Sequence, residues 1–244
     1  MGLRYLRFPL RVIQNRHMPE KTDHKSGHRE RLKARFRKGG VEALADYELL
    51  ELQLMTAIPR RDVKPLAKDL IKEFGSYTEV ISATSERLSQ VSGIGKNVIT
   101  ILKLAEASAQ KFAEGTVMKK PVLNNWQALI NYCNTQLAYK STEQFRVLFL
   151  DRQNRLIADE KMQEGTIDHT PVYPREVIKR ALELGSSAII LVHNHPSGDP
   201  SPSREDIEMT KKIQEAGKQL GVILHDHLII SKSGHSSFRS MELI

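Results

Sequence analysis

The feature that most constrains the fold is a run of five apolar residues, 188–192, that leads directly into His193 and His195. A short apolar run of this kind is typical of a strand that is buried on both faces. Residues i and i+2 of a strand share a face, so both imidazoles can converge on one point where the strand ends. The sequence therefore predicts a buried strand that presents two metal-ligating side chains.

The segment that follows, residues 196–202, contains three prolines and a glycine and is predicted to be a fixed loop. Ser203 and Asp206 then have the spacing of a helix N-cap pair, and the helix is predicted to run to about residue 215. Asp206 lies one turn into this helix and can turn back toward the histidines. Capping and metal binding are expected to compete for its carboxylate.

Three side chains, His193, His195 and Asp206, are thus the predicted ligands of a Zn²⁺ ion. Three protein ligands leave a fourth tetrahedral position for water, which is the arrangement of catalytic rather than structural zinc sites. The only cysteine, Cys133, lies far upstream, so a closed cysteine-rich site is excluded here.

Residues 193–200, together with Ser203 and Asp206, resemble the JAMM (MPN-type) metalloprotease motif, and specifically that of the RadC family. The resemblance covers nearly the whole chain from about residue 25. It implies zinc at the three predicted ligands, and Ser203 as the catalytic residue that helps to bind the oxyanion, beside a role as helix N-cap. Three other segments also resemble RadC proteins: residues 165–166, 172–177 and 226–230.

A peptide-hydrolysing zinc site also needs a general base, and related enzymes take a glutamate from an upstream strand. The candidate strand is 156–166, which contains Glu160 and Glu164. These two residues share a face by the period of two, so alternation does not choose between them. Glu176 is a third option, but the helix dipole already explains an acidic residue in a first turn. We predict Glu160 as the catalytic glutamate.

The net charge of +8 is unevenly distributed. Residues 1–120 carry 23 Lys and Arg against 14 Asp and Glu, whereas residues 121–244 carry 14 against 15. Such an asymmetry indicates that the N-terminal half meets an acidic polymer, of which nucleic acid is the usual one.

Residues 43–111 have helical periodicity, and a hairpin with Gly93, Gly95 and Lys96 lies between the last two predicted helices. The hairpin looks like that of a helix-hairpin-helix module. Paired glycines allow close approach of the backbone, and the following helix N-terminus offers amides to a phosphate. The expected DNA contact is independent of base sequence. A tight turn without a ligand is the other interpretation.

The predicted organisation is a basic N-terminal arm, a small all-α domain, a linker and a zinc domain, at residues 1–40, 41–112, 113–122 and 123–244. Elements beyond the linker alternate between helix and strand, which predicts an α/β domain with a mixed, MPN-like sheet. His225 and His227 form a second H-x-H without a third ligand. They are predicted to be supporting polar residues, with His227 or Asp226 orienting a ligand.

The predicted function is that of a JAMM-type zinc metallopeptidase that cuts a peptide or isopeptide bond with zinc-activated water. The alternative is a DNA-associated repair or recombination factor in which the zinc fold is a binding platform. A single zinc suits acyl chemistry better than phosphoryl transfer between two metals. No apolar run is long enough for a membrane span, and one cysteine suits a reducing cytoplasm.

Overall fold

A computed structural model describes residues 24–165 and 172–244 of the chain. The chain separates into two compact units, the first ending at Ala45 and the second running from Asp46 to Ile244. In the first unit, helix α1 spans His24–Gly39 and carries basic residues in its last turn, where the helix dipole favours them. The part of the predicted basic arm that the structure describes is therefore largely helical, and residues 1–23 lie outside the described residues.

The second unit begins with five helices, and the two shortest are capped at their starts by the expected residue types. Ser76 accepts a hydrogen bond from the amide of Glu79, and Thr84 accepts one from the amide of Arg87. Among the described residues, no helix combines the length and the apolar character needed to cross a membrane. These first helices are α2 (Asp46–Ala57), α3 (Lys64–Phe74), α4 (Tyr77–Ser82), α5 (Ser85–Ser89) and α6 (Lys96–Val117).

The predicted linker, 113–122, is not an extended connection. Helix α6 continues to Val117, which is buried. The next residues pair with the start of a strand, since Lys119 donates its amide to Leu156 and Leu156 donates its amide to Lys120. A Gly in an exposed helical position costs only about 1 kcal/mol, so Gly115 does not end the helix.

Gly217 in the helix Arg204–Gln219 and Gly115 in α6 are helical glycines with different surroundings, and they give a matched test of packing. A Cβ on Gly217 would lie 2.6 Å from the carbonyl oxygen of Val222, whereas a Cβ on Gly115 would meet nothing within 4 Å. We expect Gly217→Ala to lower the free energy of unfolding by about 1–3 kcal/mol through overpacking. Gly115→Ala should raise it by about 0.5–1 kcal/mol. Urea unfolding of both variants measures the difference, and equal stabilisation by both would contradict the packing.

The remainder of the second unit is an α/β arrangement built on a five-stranded mixed sheet of order β2-β1-β3-β4-β5. Strands β3 and β4 are parallel and the other neighbouring pairs are antiparallel. The predicted fold class is confirmed. The elements are α7 (Trp126–Leu137), β1 (Glu143–Leu150), β2 (Leu156–Gly165), α8 (Pro174–Glu183), β3 (Ala188–Asn194), α9 (Arg204–Gln219), β4 (Ile223–Ser231) and β5 (Gly234–Ser237).

Apolar side chains cover both faces of the sheet. On one face, Leu148 and Ile190 pack in a cluster with residues of α7, including Leu129. On the other face, Val147 and Leu191 belong to a cluster that includes residues of α8 and α9. Strand β3 lies at the centre and is buried along its whole length, as its continuous apolar run predicts.

The single cysteine, Cys133, tests the packing of α7. It is 2% exposed, and burial is the first cause that raises the pKa of its thiol. Because the thiolate is the reactive form, we expect the native protein to resist thiol-labelling reagents. The reagent should label one thiol per chain only after denaturant unfolds the protein. Rapid labelling of native protein, followed by mass spectrometry, would contradict the position of α7.

Candidate metal centre

Two histidines lie where the central strand ends. His193 belongs to β3 and is fully buried, and His195 follows the strand. Their Nε2 atoms are 3.0 Å apart. His195 Nδ1 lies 2.8 Å from the carbonyl oxygen of Asp199, which can only accept, so this Nδ1 carries the proton. In its neutral form, the ring of His195 therefore presents an Nε2 lone pair to His193, as the H-x-H spacing predicts.

Asp206 reaches the same point from the first turn of α9. Its Oδ1 lies 3.3 Å from His193 Nε2, and its Oδ2 lies 3.7 Å from His195 Nε2. Oδ2 also accepts hydrogen bonds from the Ser203 amide at 2.8 Å and from the Ser203 hydroxyl at 2.7 Å. Oδ1, the oxygen that faces His193, is thus not the one that accepts the capping hydrogen bonds.

The donor set fits a zinc ion. The 3.0 Å between the two Nε2 atoms and the 3.3 Å between His193 Nε2 and Asp206 Oδ1 are close to the roughly 3.3 Å expected between ligands of a tetrahedral zinc with bonds of about 2.0–2.1 Å. Two neutral imidazoles that aim lone pairs at each other and at a carboxylate repel, and a divalent cation between them removes this repulsion. The three predicted ligands thus come together.

The charges of the cluster are coupled. Burial would raise the pKa of Asp206, but the neighbouring rings of His193 and His195 and the hydroxyl of Ser203 outweigh it and hold that pKa well below its usual range. The hydrogen bond with Asp206 raises the pKa of His195, while burial of the ring opposes this shift. Protons and a metal cation therefore compete for the same donor atoms.

Glu143, a residue that the sequence analysis did not single out, also lies at this centre. Ligand atoms of Glu143, His193 and His195 lie within 4.8 Å of one another. Glu143 Oε2 is buried and has no hydrogen-bond partner among the described residues. Burial raises the pKa of Glu143, and the charges of His193 and His195 partly oppose this shift. The site thus contains a second carboxylate whose protonated form is favoured more than usual.

The three glutamates considered from the sequence do not reach this centre. Glu160 accepts two hydrogen bonds from Arg180, at 2.8 and 2.7 Å, and lines a different cleft beside Asp159. These hydrogen bonds lower the pKa of Glu160, which makes it a poorer base. Glu164 is paired with Gln144 and Lys161, and Glu176 with Arg175. The placement of Glu160 as the catalytic glutamate is therefore corrected.

A β-bulge explains why alternation was misleading. Phe145 pairs with Gln163 and Arg146 with Lys161, so Met162 is an extra residue in β2. The bulge places Glu160 and Glu164 on opposite faces of the sheet. On β1, by contrast, Phe145 is opposite His193, and the same register two residues further brings Glu143 opposite His195.

Ser203 lies beside the metal ligands at the start of α9. Its Oγ accepts from the Asp206 amide at 3.1 Å and its own amide donates to Asp206 Oδ2 at 2.8 Å, which together form a capping box. The Ser203 hydroxyl also donates to Oδ2. It lines a cleft together with Glu143, His195 and Asp206. The predicted N-cap is therefore present. The Ser203 hydroxyl lies near the metal centre, but it donates its proton to Asp206.

The hairpin predicted to contact DNA is a tight turn between α5 and α6. Gly93 has a φ of +88°, a conformation that favours glycine, and Gly95 is the N-cap of α6 without a side-chain cap. A Cβ on Gly95 would meet nothing within 4 Å, and Lys96 is exposed. The amides of this helix N-terminus are thus approachable.

Comparison with known proteins agrees with the geometry. Residues 123–243 match the model of the RadC-like JAB domain, and residues 24–100 match that of the UPF0758 N-terminal region. A UPF0758 protein of Rhodobacter capsulatus is 58% identical over 213 residues, which are 87% of this chain and 100% of the relative. One of Ruegeria pomeroyi is 59% identical over 213 residues, 87% of this chain and 95% of the relative. The chain therefore belongs to the UPF0758 family with a RadC-like JAB domain, which confirms the RadC resemblance.

Proposed function

We propose that this chain is a zinc-dependent hydrolase of a peptide or isopeptide bond. The observation that carries the proposal is the position of Glu143, whose buried Oε2 has no hydrogen-bond partner in the described part of the chain and lies beside the convergent histidines. A buried polar atom without a partner is costly, so such an atom in a cleft indicates a function. The membership in a RadC-like JAB family supports the same chemistry.

His193 Nε2, His195 Nε2 and Asp206 Oδ1 are the proposed zinc ligands. When bound, zinc supplies a Lewis acid that polarises a carbonyl group and makes a water more acidic. Asp206 is preferred to Glu143 as the third ligand because its position is fixed by the capping box at the start of α9. Glu143 lacks such a constraint and keeps the freedom that proton transfer needs.

Glu143 is the proposed general base. It accepts a proton from the attacking water as the water oxygen bonds to the scissile carbonyl carbon. It then returns this proton to the leaving nitrogen as the carbon–nitrogen bond breaks, which gives a carboxylic acid and an amine. Burial raises the pKa of Glu143, which brings it closer to the operating pH at which a group is effective in both directions.

Ser203 is the proposed donor to the oxyanion. It lines the same cleft as Glu143, and its hydroxyl needs only a rotation about its C–O bond to leave Asp206. A hydrogen bond directed at the oxygen that becomes negative stabilises the tetrahedral intermediate. The amide of Ser203 continues to donate to Asp206, so the cap is retained during this rotation.

The test is hydrolysis of two libraries by the zinc-loaded full-length chain, one of linear peptides and one of peptides branched through lysine. Mass spectrometry of the products should reveal cleavage in at least one library. Cleavage should stop after chelation and return when zinc alone is restored. Full zinc occupancy without cleavage in either library would contradict the proposal.

A second proposal concerns the hairpin of Gly93, Gly95 and Lys96, which would contact DNA phosphates independently of base sequence. The open N-terminus of α6 and the basic N-terminal half favour it. Lys96→Glu should weaken binding to duplex DNA and reduce the salt slope by about one. Lys218→Glu, an equal change of charge on α9, should have a smaller effect. Equal effects would reject a defined hairpin contact.

The cytoplasm is the proposed compartment, since the one cysteine of the chain is a free thiol.

A further inference from the structure

A buried chain of hydrogen bonds extends from the metal centre into the sheet. His193 Nδ1 lies 2.7 Å from His227 Nε2, and His227 Nδ1 lies 2.6 Å from the hydroxyl oxygen of Thr210. The Thr210 hydroxyl also lies 2.6 Å from the backbone carbonyl oxygen of Asp206. His193, His227 and Thr210 are all fully buried. This series of hydrogen bonds thus begins at one proposed zinc ligand, His193, and ends on the backbone of another, Asp206.

The donor and the acceptor of each of these hydrogen bonds can be assigned. The Thr210 hydroxyl has a single proton, and the carbonyl oxygen of Asp206 can only accept, so Thr210 donates there. Thr210 must then accept from Nδ1–H of His227. The buried ring of His227 packs between Phe145 and Phe238, which favours its uncharged form. Its Nε2 is therefore an acceptor.

The acceptor on His227 fixes the state of the metal ligand. Because His227 Nε2 accepts a hydrogen bond, His193 Nδ1 must carry the proton and donate it in that bond. The Nε2 atom of His193 is then left with its lone pair, and this is the atom that faces Asp206 and His195. Only this tautomer of His193 can bind a cation at the centre.

We propose that Thr210 and His227 are positioning residues that set the tautomer and orientation of His193 for metal binding. The proposal rests on the zinc site of the proposed function and deepens it. The carbonyl oxygen of Asp206 can only accept, and this sets the donor and acceptor of each hydrogen bond back to His193. The backbone of the proposed ligand on α9 therefore determines the tautomer of the proposed ligand on β3.

A β-bulge in β4 makes this contact possible. Ile189 pairs with Leu224 and Ile190 with Asp226, so His225 is an extra residue. Leu224 packs in the cluster that includes residues of α8 and α9. Regular alternation from Leu224 would turn His227 toward the opposite face, whereas the bulge directs it to Thr210 on α9. His225 instead contacts Asn154, at 2.7 Å.

The first test compares Thr210→Val with Thr210→Ser. Valine has nearly the shape of threonine but no hydroxyl, so His227 loses the acceptor that fixes its Nδ1–H. Serine retains the hydroxyl and is the control. Nitrogen-15 NMR of the metal-free protein, at mildly alkaline pH, should find His193 and His227 in the Nδ1–H form in the wild type and the serine variant. In the valine variant, we expect His227 and His193 to populate the Nε2–H form as well as the Nδ1–H form.

The second measurement is zinc affinity by competition with a chelator. Loss of an outer partner of a metal ligand typically weakens binding about 10–100-fold, and we expect this for Thr210→Val. His227→Asn, whose short amide does not reach His193, should weaken binding similarly. His227→Gln, whose amide oxygen replaces Nε2 as an acceptor, should weaken it less. Thermal unfolding of each variant checks that the protein remains folded.

The outcomes separate this inference from the proposed function. Unchanged tautomers in Thr210→Val, or equal zinc affinity of the valine and serine variants, would overturn the inference. If the wild type binds zinc but cuts no peptide, the proposed function fails while the NMR and affinity data still test the positioning role. If the wild type shows the Nε2–H form of His193 without metal, the inference is rejected whatever the activity.

Discussion

Glu143→Gln is expected to reduce hydrolysis by about 10²–10⁴-fold while zinc remains bound, because glutamine has nearly the same shape but cannot accept a proton. The carboxylate lies within 4.8 Å of the two histidines, and its Oε2 has no hydrogen-bond partner among residues 24–165 and 172–244. Its removal therefore breaks no hydrogen bond of Oε2 in that part of the chain. The measurement is kcat on a peptide identified in the library, together with zinc content.

Glu160→Gln is the matched control. Its carboxylate is paired with Arg180, and both side chains are partly exposed, so loss of the pair should cost at most about 1 kcal/mol of stability. Hydrolysis should remain near that of the wild type. A large loss of activity in Glu160→Gln, combined with an active Glu143→Gln, would return the assignment to the glutamate expected from the sequence.

Asp206→Asn is expected to weaken zinc binding by at least about 100-fold, since even the loss of a partner behind a ligand costs about 10–100-fold. The amide lacks the negative charge that faces His193 and His195. The change also disturbs the capping box with Ser203, which should lower the free energy of unfolding by about 1 kcal/mol. Zinc content after dialysis and chelator competition measure the first effect, and urea unfolding the second.

The control for this variant is Glu205→Gln, the same chemical change one residue earlier. Glu205 is exposed in the first turn of α9, so its loss alters the helix-dipole interaction but no proposed ligand. Zinc affinity should be close to that of the wild type. If Asp206→Asn retains zinc while Glu143→Gln loses it, the ligand set is Glu143, His193 and His195 instead.

The parts of the site that are local in sequence were predictable. The apolar run before His193 predicted β3, and the Ser203 and Asp206 pair predicted the start of α9. Both segments follow period and capping rules that involve only neighbours along the chain.

The parts that depend on strand pairing were not predictable from these rules. Glu143 acquires its position from the register of β1 against β3, which a single sequence does not specify. The extra residue Met162 puts Glu164 on the face away from the histidines, while Glu160 pairs with Val147, further along the strand than the metal centre. The extra residue His225 directs His227 to Thr210. The signal that could have identified Glu143 is its position as an acidic residue at the start of β1, the strand that pairs with β3.

A crystal structure of the zinc-loaded protein, with anomalous scattering recorded at the zinc edge, tests the proposed ligand set directly. We expect one strong peak bonded to Nε2 of His193, Nε2 of His195 and the carboxylate of Asp206, with Glu143 facing the remaining position without binding the metal. No peak at this centre under saturating zinc, or a peak that contacts Glu143 while Asp206 contacts only Ser203, would contradict it.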